Sequence, residues 1–186
     1  MNTTYVFLAD GFEEVEALTC VDLLRRAQMD VKMVSITSGL QVVGAHGIKV
    51  DADVAFGEVS DYADAEWLVL PGGMPGATNL AAHAALTEVL KARNAQGGKI
   101  AAICASPAVV LAPLGILNGK RGVCYPGFEG NMAGCDVDAS ASVVVDGNVT
   151  TGNGPAAATA FALQLVAISL GDAAAKSVAE GMLLSR

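Results

Sequence analysis

Ile100-Ala101-Ala102-Ile103-Cys104-Ala105-Ser106-Pro107 is the stretch on which the fold turns. Four small or aliphatic residues read as a buried strand, Cys104 is one polarisable residue at its end, and Ala105 onward opens a helix. Pro107 falls in the first helical turn, where its missing N–H costs nothing. A strand that hands over to a helix through a single reactive-type side chain has the logic of a nucleophile elbow, although the Gly-x-Ser-x-Gly sequence itself is absent.

The same alternation extends in both directions. Upstream, Trp67 to Leu70 reads as a strand ending at Pro71-Gly72-Gly73, and a helix from about Ala81 to Ala95 stops at Gly97-Gly98. Before that come a strand over Tyr5 to Ala9, a helix from about Glu13 to Gln28 and a strand over Val31 to Ile36. Glu13 and Glu14 in the helix's first turn, with Arg25 and Arg26 in its last, complement the helix dipole. Leu40 to Asp53 carries Gly44 and Gly47 between apolar pairs and predicts a small antiparallel excursion. Downstream, Asp146-Gly147 between Val143-Val145 and Asn148-Thr151 predicts a type I′ hairpin. Gly154-Pro155 opens an apolar helix to about Leu170, and Asp172 caps a last one. Strands alternating with helices predict an α/β architecture with a mostly parallel sheet and helices on both faces. Neither linker nor repeat interrupts residues 1–186, so one domain is expected.

Bulk properties narrow the function. Hydrophobic residues make up 53% of the chain and aromatic ones only 5%, so the core is aliphatic. The net charge of −8 argues against a nucleic-acid partner, which needs a basic surface. Apolar runs such as Ala156 to Leu170 are too short or too mixed to span a bilayer, so no membrane partner is expected. The N-terminus enters a strand too soon for a signal peptide, which makes the cytoplasm the expected compartment. The four cysteines show no Cys-x-x-Cys spacing and there are only two histidines, so a zinc site would be hard to assemble. No metal is expected.

In open α/β sheets, ligands bind beyond the carboxyl ends of the strands. Those ends are Asp10-Gly11, Pro71-Gly72-Gly73, Cys104-Ala105 and Gly152-Asn153-Gly154. A thiol at a helix N-terminus meets the positive end of the dipole and free N–H groups, which favour thiolate and lower the cysteine pKa. Cys104 fits a buried core cysteine equally well on pattern alone. Glu16 shares a helix face with Cys20, Leu23 and Leu24, an otherwise apolar stripe. A carboxyl there is costly unless paired or protonated, and burial should raise its pKa. It is then placed to hydrogen-bond a thiolate and to act as acid or base. The plainer alternative is a solvated residue like Glu13 and Glu14. The N–H groups of Gly73 and Ala105 would supply oxyanion donors, while Gly72-Gly73 makes an ordinary tight turn just as readily. His46 lies between two glycines and reads as exposed, His83 as solvated at a helix start, and Cys20 as core.

The run Ala9-Asp10-Gly11-Phe12-Glu13-Glu14-Val15-Glu16, followed by Val21-Asp22-Leu23-Leu24-Arg25-Arg26, resembles the opening of the ThiJ/PfpI family, on the branch of the Parkinsonism-associated deglycase. Leu70-Pro71-Gly72-Gly73 with Gly76 and Asn79-Leu80, the Cys104 elbow, and Gly154-Pro155 continue the likeness in order, nearly end to end. The resemblance implies a flavodoxin-like fold and a homodimer. It also implies a reactive Cys104 hydrogen-bonded by a protonated Glu16, and an anion pocket built from Gly72, Gly73 and Ala105. Relatives are described as glyoxalases or deglycases acting on 2-oxoaldehydes, as peroxide sensors, as chaperones or as proteases. Two departures weigh against a peptidase: Ala105 stands where the protease-like branch has histidine, and Tyr125 precedes Pro126 where some relatives carry a pocket histidine. His46 occupies the region from which relatives present a basic residue towards the partner's pocket, which implies a substrate-orienting role.

Two functions fit. One is a cofactor-free, cysteine-dependent glyoxalase or deglycase acting on small reactive carbonyls such as methylglyoxal. The other is a non-enzymatic peroxide-sensing or chaperone-like stress protein that uses the same thiolate.

Overall fold

All four side chains of the strand Ile100–Ile103 are buried, as a strand covered on both faces requires. The computed structural model describes residues 2–184. In chain order the strands are β1 (Thr4–Leu8), β2 (Val31–Ser35), β3 (Gln41–Val43), β4 (Lys49–Asp51), β5 (Val54–Ala55), β6 (Leu68–Leu70), β7 (Ile100–Ile103), β8 (Arg121–Gly122), β9 (Asp136–Val137), β10 (Val143–Asp146) and β11 (Val149–Gly152). The α-helices are α1 (Glu14–Arg26), α2 (Gly76–Ala82), α3 (Ala84–Ala95), α4 (Ala158–Leu170) and α5 (Asp172–Gly181).

Seven strands form the central sheet in the order β10-β11-β7-β6-β1-β2-β5. Every neighbouring pair is parallel except β10 with β11. One face is covered by α1, α4 and α5 through Ala17, Leu24, Phe161, Leu165 and Val178. The other is covered by α2, α3 and the segment after β7 through Leu80, Leu86, Leu90 and Leu111. The fold is the expected flavodoxin-like α/β arrangement. Strand order reverses between β1 and β6, which puts the ligand-binding crevice at the carboxyl ends of β1, β6 and β7.

Several local expectations need correction. The helix expected from Ala81 to Ala95 is two helices, broken at His83, whose Nδ1 accepts the Leu86 N–H at 3.1 Å and caps α3. His83 is therefore half-buried, its ring edge-on to Phe56, rather than simply solvated. Pro107 does sit in the first turn of a helix, but that helix is a short π-helix over Pro107–Leu111. Gly171, at φ +88°, precedes α5, so Asp172 is the first helical residue and caps nothing with its side chain. In the β10–β11 hairpin the loop is Gly147-Asn148, and Gly147 alone takes a positive φ, +58°. That is the glycine-first pattern of a type II′ turn, not type I′. The antiparallel excursion is present as β3 paired with β4, and β5, unanticipated, returns the chain to the main sheet beside β2.

Candidate functional site

Cys104 leaves β7 with φ +64°, a left-handed conformation that disfavours any side chain bearing a Cβ. The elbow is held on three sides. The Cys104 N–H donates to the Gly152 carbonyl at 2.9 Å, and its carbonyl accepts the Tyr125 N–H at 2.8 Å. The fully buried Ser106 hydroxyl donates to the Pro71 carbonyl, tying the elbow to the glycine turn after β6. The sulfur meets the N–H groups of Gly73 and Ala105.

Gly72 and Gly73 are both required by packing. A Cβ on Gly72 would stand 2.5 Å from Cys104 Cβ and 2.8 Å from Glu16 Oε2. Gly73 has φ +87°, and a Cβ there would stand 2.3 Å from the Glu13 nitrogen. The close approach brings the turn directly over the sulfur.

Glu16 is 1% exposed and points into this junction rather than into solvent. Its Oε2 accepts the Gly72 N–H at 2.7 Å, while Oε1 has no hydrogen-bond partner among the described nitrogen and oxygen atoms. Burial pushes the Glu16 carboxyl up to about 7, against the Gly72 N–H and the Cys104 contact. Burial, then the negative charge of an ionised Glu16, push the Cys104 thiol up to about 12, opposed by the Gly73 and Ala105 N–H groups. A lowered thiol pKa is therefore not what this environment gives while Glu16 is ionised. The two groups form one coupled acid pair. When Glu16 holds the proton, its repulsion disappears and its O–H becomes a donor, so the neutral acid is the partner that favours a thiolate.

A cavity of about 220 Å³ opens over the sulfur, lined by Glu13, Gly73, Met74, Cys104, Ala105, Tyr125, Phe128 and Pro155. Tyr125 and Phe128 meet edge to face, with centroids 6.5 Å apart. Gly154 leaves room for the Tyr125 ring, which lies 3.2 Å from where a Cβ would stand. These aromatic walls were not anticipated, although the Tyr125-Pro126 departure pointed at the right segment. Cys20 is sealed in the core, as expected, and burial pushes its thiol up to about 12.

His46 is exposed, as expected, and it does not line the cavity of its own chain. Its Nδ1 lies 2.8 Å from Glu14 Oε2. Glu14 corrects the expectation of a solvated residue: it is 4% exposed and takes the backbone N–H groups of His46 and Ile48. Gly44 makes this possible, since a Cβ there would overlap the Glu14 carboxylate. Those bonds hold the Glu14 carboxyl below its usual range against the opposing effect of burial, and the same contact raises His46. Glu13, Glu14 and His46 each bring a ligand-type atom within 4.8 Å of the others. Glu14 already spends its oxygens on the hairpin, so the cluster reads as a structural clasp.

Comparison with known proteins identifies the arrangement: the DJ-1/PfpI family model matches residues 2–168, and the chain belongs to that family. A DJ-1 superfamily protein from Salmonella typhimurium has a similar structure, with a TM-score of 0.93 and 36% identity over 98% of both chains. The sequence is 34% identical to DJ-1 homolog B of Arabidopsis thaliana over 92% of this chain, yet spans only 39% of that longer protein. It is 38% identical to a protein of Pyrococcus abyssi named as a deglycase, over 77% of this chain and 84% of that one.

Proposed function

We propose that this member of the DJ-1/PfpI family is a cysteine-dependent, cofactor-free glyoxalase of the deglycase kind, acting on small 2-oxoaldehydes such as methylglyoxal. The observation that carries the reading is the Cys104 sulfur at the floor of a 220 Å³ cavity, between two backbone N–H groups and a buried carboxyl. The cavity suits a small molecule, and its lining holds Glu13 but no cationic side chain, which favours a neutral carbonyl over an anion.

In this scheme the Cys104 thiolate attacks the aldehyde carbon and forms a C–S bond. The resulting alkoxide takes up the proton that the thiol released, giving a hemithioacetal, while the Gly73 and Ala105 N–H groups stabilise the developing negative charge. Glu16, with a carboxyl near neutrality, removes the proton from the former aldehyde carbon and returns one to the neighbouring carbon. The enediol thus becomes the thioester of a 2-hydroxy acid. Water cleaves the C–S bond, the thiol regains its proton, and the net change is addition of one water to the oxoaldehyde. The two adjacent carbons exchange oxidation level, so no external oxidant or reductant enters.

The working unit in this reading is one domain over residues 1–186 that pairs as a homodimer in the cytoplasm. Exposed apolar side chains around the Glu14–His46 clasp, Val15, Val43 and Ile48, support such a contact. From that face His46 would reach the partner's cavity and orient substrate there. Among the described residues no helix is long and apolar enough to cross a membrane.

The test is lactate production from methylglyoxal by purified protein without glutathione, measured beside Cys104→Ser. Turnover abolished by the substitution is the expected result. No turnover, with stoichiometric oxidation of Cys104 by low peroxide, would replace the enzyme with a peroxide-sensing protein.

A further inference from the structure

Three cysteines lie outside the Cys104 site, and none of the four is in a disulfide. Cys20 is sealed, but Cys124 and Cys135 pack in one cluster on the α2–α3 side of the sheet, whereas the Cys104 side chain packs in the other cluster. Cys124 is 3% exposed, whereas Cys135 is half-buried. Gly122 relates them. A Cβ on Gly122 would stand 3.0 Å from Cys135 Sγ and 3.3 Å from Met132 Cε, so the Cys135 sulfur fills the place of the missing side chain. Cys124 lies two residues beyond Gly122, so its Cα is within about 7 Å of that of Gly122, and Cys124 and Cys135 pack with Met132 in the same hydrophobic cluster.

Closure needs the Cβ atoms to approach to about 3.8 Å. The segment that must give is short: Cys135 N–H donates to the Met132 carbonyl at 3.1 Å, with Gly134 at φ +80° inside that turn. Each thiol is raised mainly by burial, and Cys124 also feels Glu129 and Cys135. Both rest as thiols.

We propose that Cys124 and Cys135 form a second thiol pair that a hydroperoxide closes into an intramolecular disulfide without the participation of Cys104. The half-buried Cys135 sulfur attacks the distal peroxide oxygen, the O–O bond breaks, and Cys135 becomes a sulfenic acid while an alcohol departs with the thiol's proton. The Cys124 sulfur then displaces hydroxide from that sulfenic acid, which leaves as water with the second thiol proton. Two thiols are oxidised and one hydroperoxide is reduced. A reversible pair of this kind matches the use of disulfides in reducing compartments, where they serve as redox sensors.

The test uses the full chain carrying Cys104→Ser, treated with tert-butyl hydroperoxide, denatured and alkylated with iodoacetamide. The expected result is joint loss of two of its three remaining thiols, a mass lower by two hydrogens before alkylation and a single carbamidomethyl group after it, and a peptide of Cys124 linked to Cys135 that dithiothreitol separates. Adding Cys124→Ala should instead leave Cys135 carrying one or more oxygens. The proposal is overturned if Cys135 gains oxygen while Cys124 stays alkylatable in the Cys104→Ser protein. It is equally overturned if the bridge forms only between chains, or if both thiols stay alkylatable at a peroxide dose that fully oxidises Cys104 in the unsubstituted protein.

Discussion

Replacing Glu16 by Gln should change how stability depends on pH more than it changes stability at any single pH. The Glu16 carboxyl ionises near its usual 4.5 in the unfolded chain and at about 7 in the folded one. Below 4.5 both states hold the proton and the group makes no difference. Between 4.5 and 7 the unfolded chain ionises while the folded one does not, so native stability falls as pH rises. Above 7 the loss is complete, at about 3 kcal/mol. Glutamine keeps an acceptor for the Gly72 N–H and has nothing to titrate. Urea midpoints of both proteins at pH 4.5, 6 and 8 should therefore diverge, the variant gaining about 3 kcal/mol on its Glu16 parent across that range. Both proteins carry Cys104→Ser in this comparison, because Glu16 and the Cys104 thiol titrate as a coupled pair and the thiol must be kept out of the measurement. A gap that stays flat, or that narrows with rising pH, would refute the buried, raised carboxyl on which the acid–base role of Glu16 rests.

Gly72→Ala puts a methyl group 2.5 Å from Cys104 Cβ; a loss of about 1–3 kcal/mol in denaturation and of most oxoaldehyde turnover is expected. Tyr125→Ala removes one wall of the cavity and should raise KM for methylglyoxal about fivefold, close to 1 kcal/mol, leaving kcat within a factor of about two. Glu14→Ala strands the N–H groups that hold the hairpin; hydrogen exchange at Gly44 to Ile48 should accelerate, with about 2–3 kcal/mol lost. Since the Glu14 carboxyl is held low, its contribution in the wild type is present above the unfolded value near 4.5 and fades as pH falls through the lower folded one.

The parts of the site that were legible in sequence are those whose signal is local. The Cys104 elbow needs only a buried run, one polar residue and a helix start. Glu16 stood out because it interrupts an apolar helical stripe with Cys20, Leu23 and Leu24. What escaped notice depends on partners distant in the chain. Glu14 looks like any acid in a helix's first turn until the His46 and Ile48 N–H groups, 32 and 34 residues on, fold back over it. Tyr125 and Phe128 lie where periodicity is weak, and they come to the cavity through a long-range contact in which the Cys104 carbonyl takes the Tyr125 N–H. The break at His83 is a contest between continuing a helix and capping a new one. Composition does not decide that; in the fold His83 Nδ1 takes the Leu86 N–H and its ring packs on Phe56, 27 residues away in the chain.

The left-handed backbone at Cys104 has a consequence for descent as well as for chemistry. At such a dihedral, glycine is the residue that the main chain itself would choose, and any side chain is retained there at a standing cost of about 1 kcal/mol or more. In copies of this gene released from selection on the thiol, the first replacement to spread should be glycine, ahead of serine or alanine.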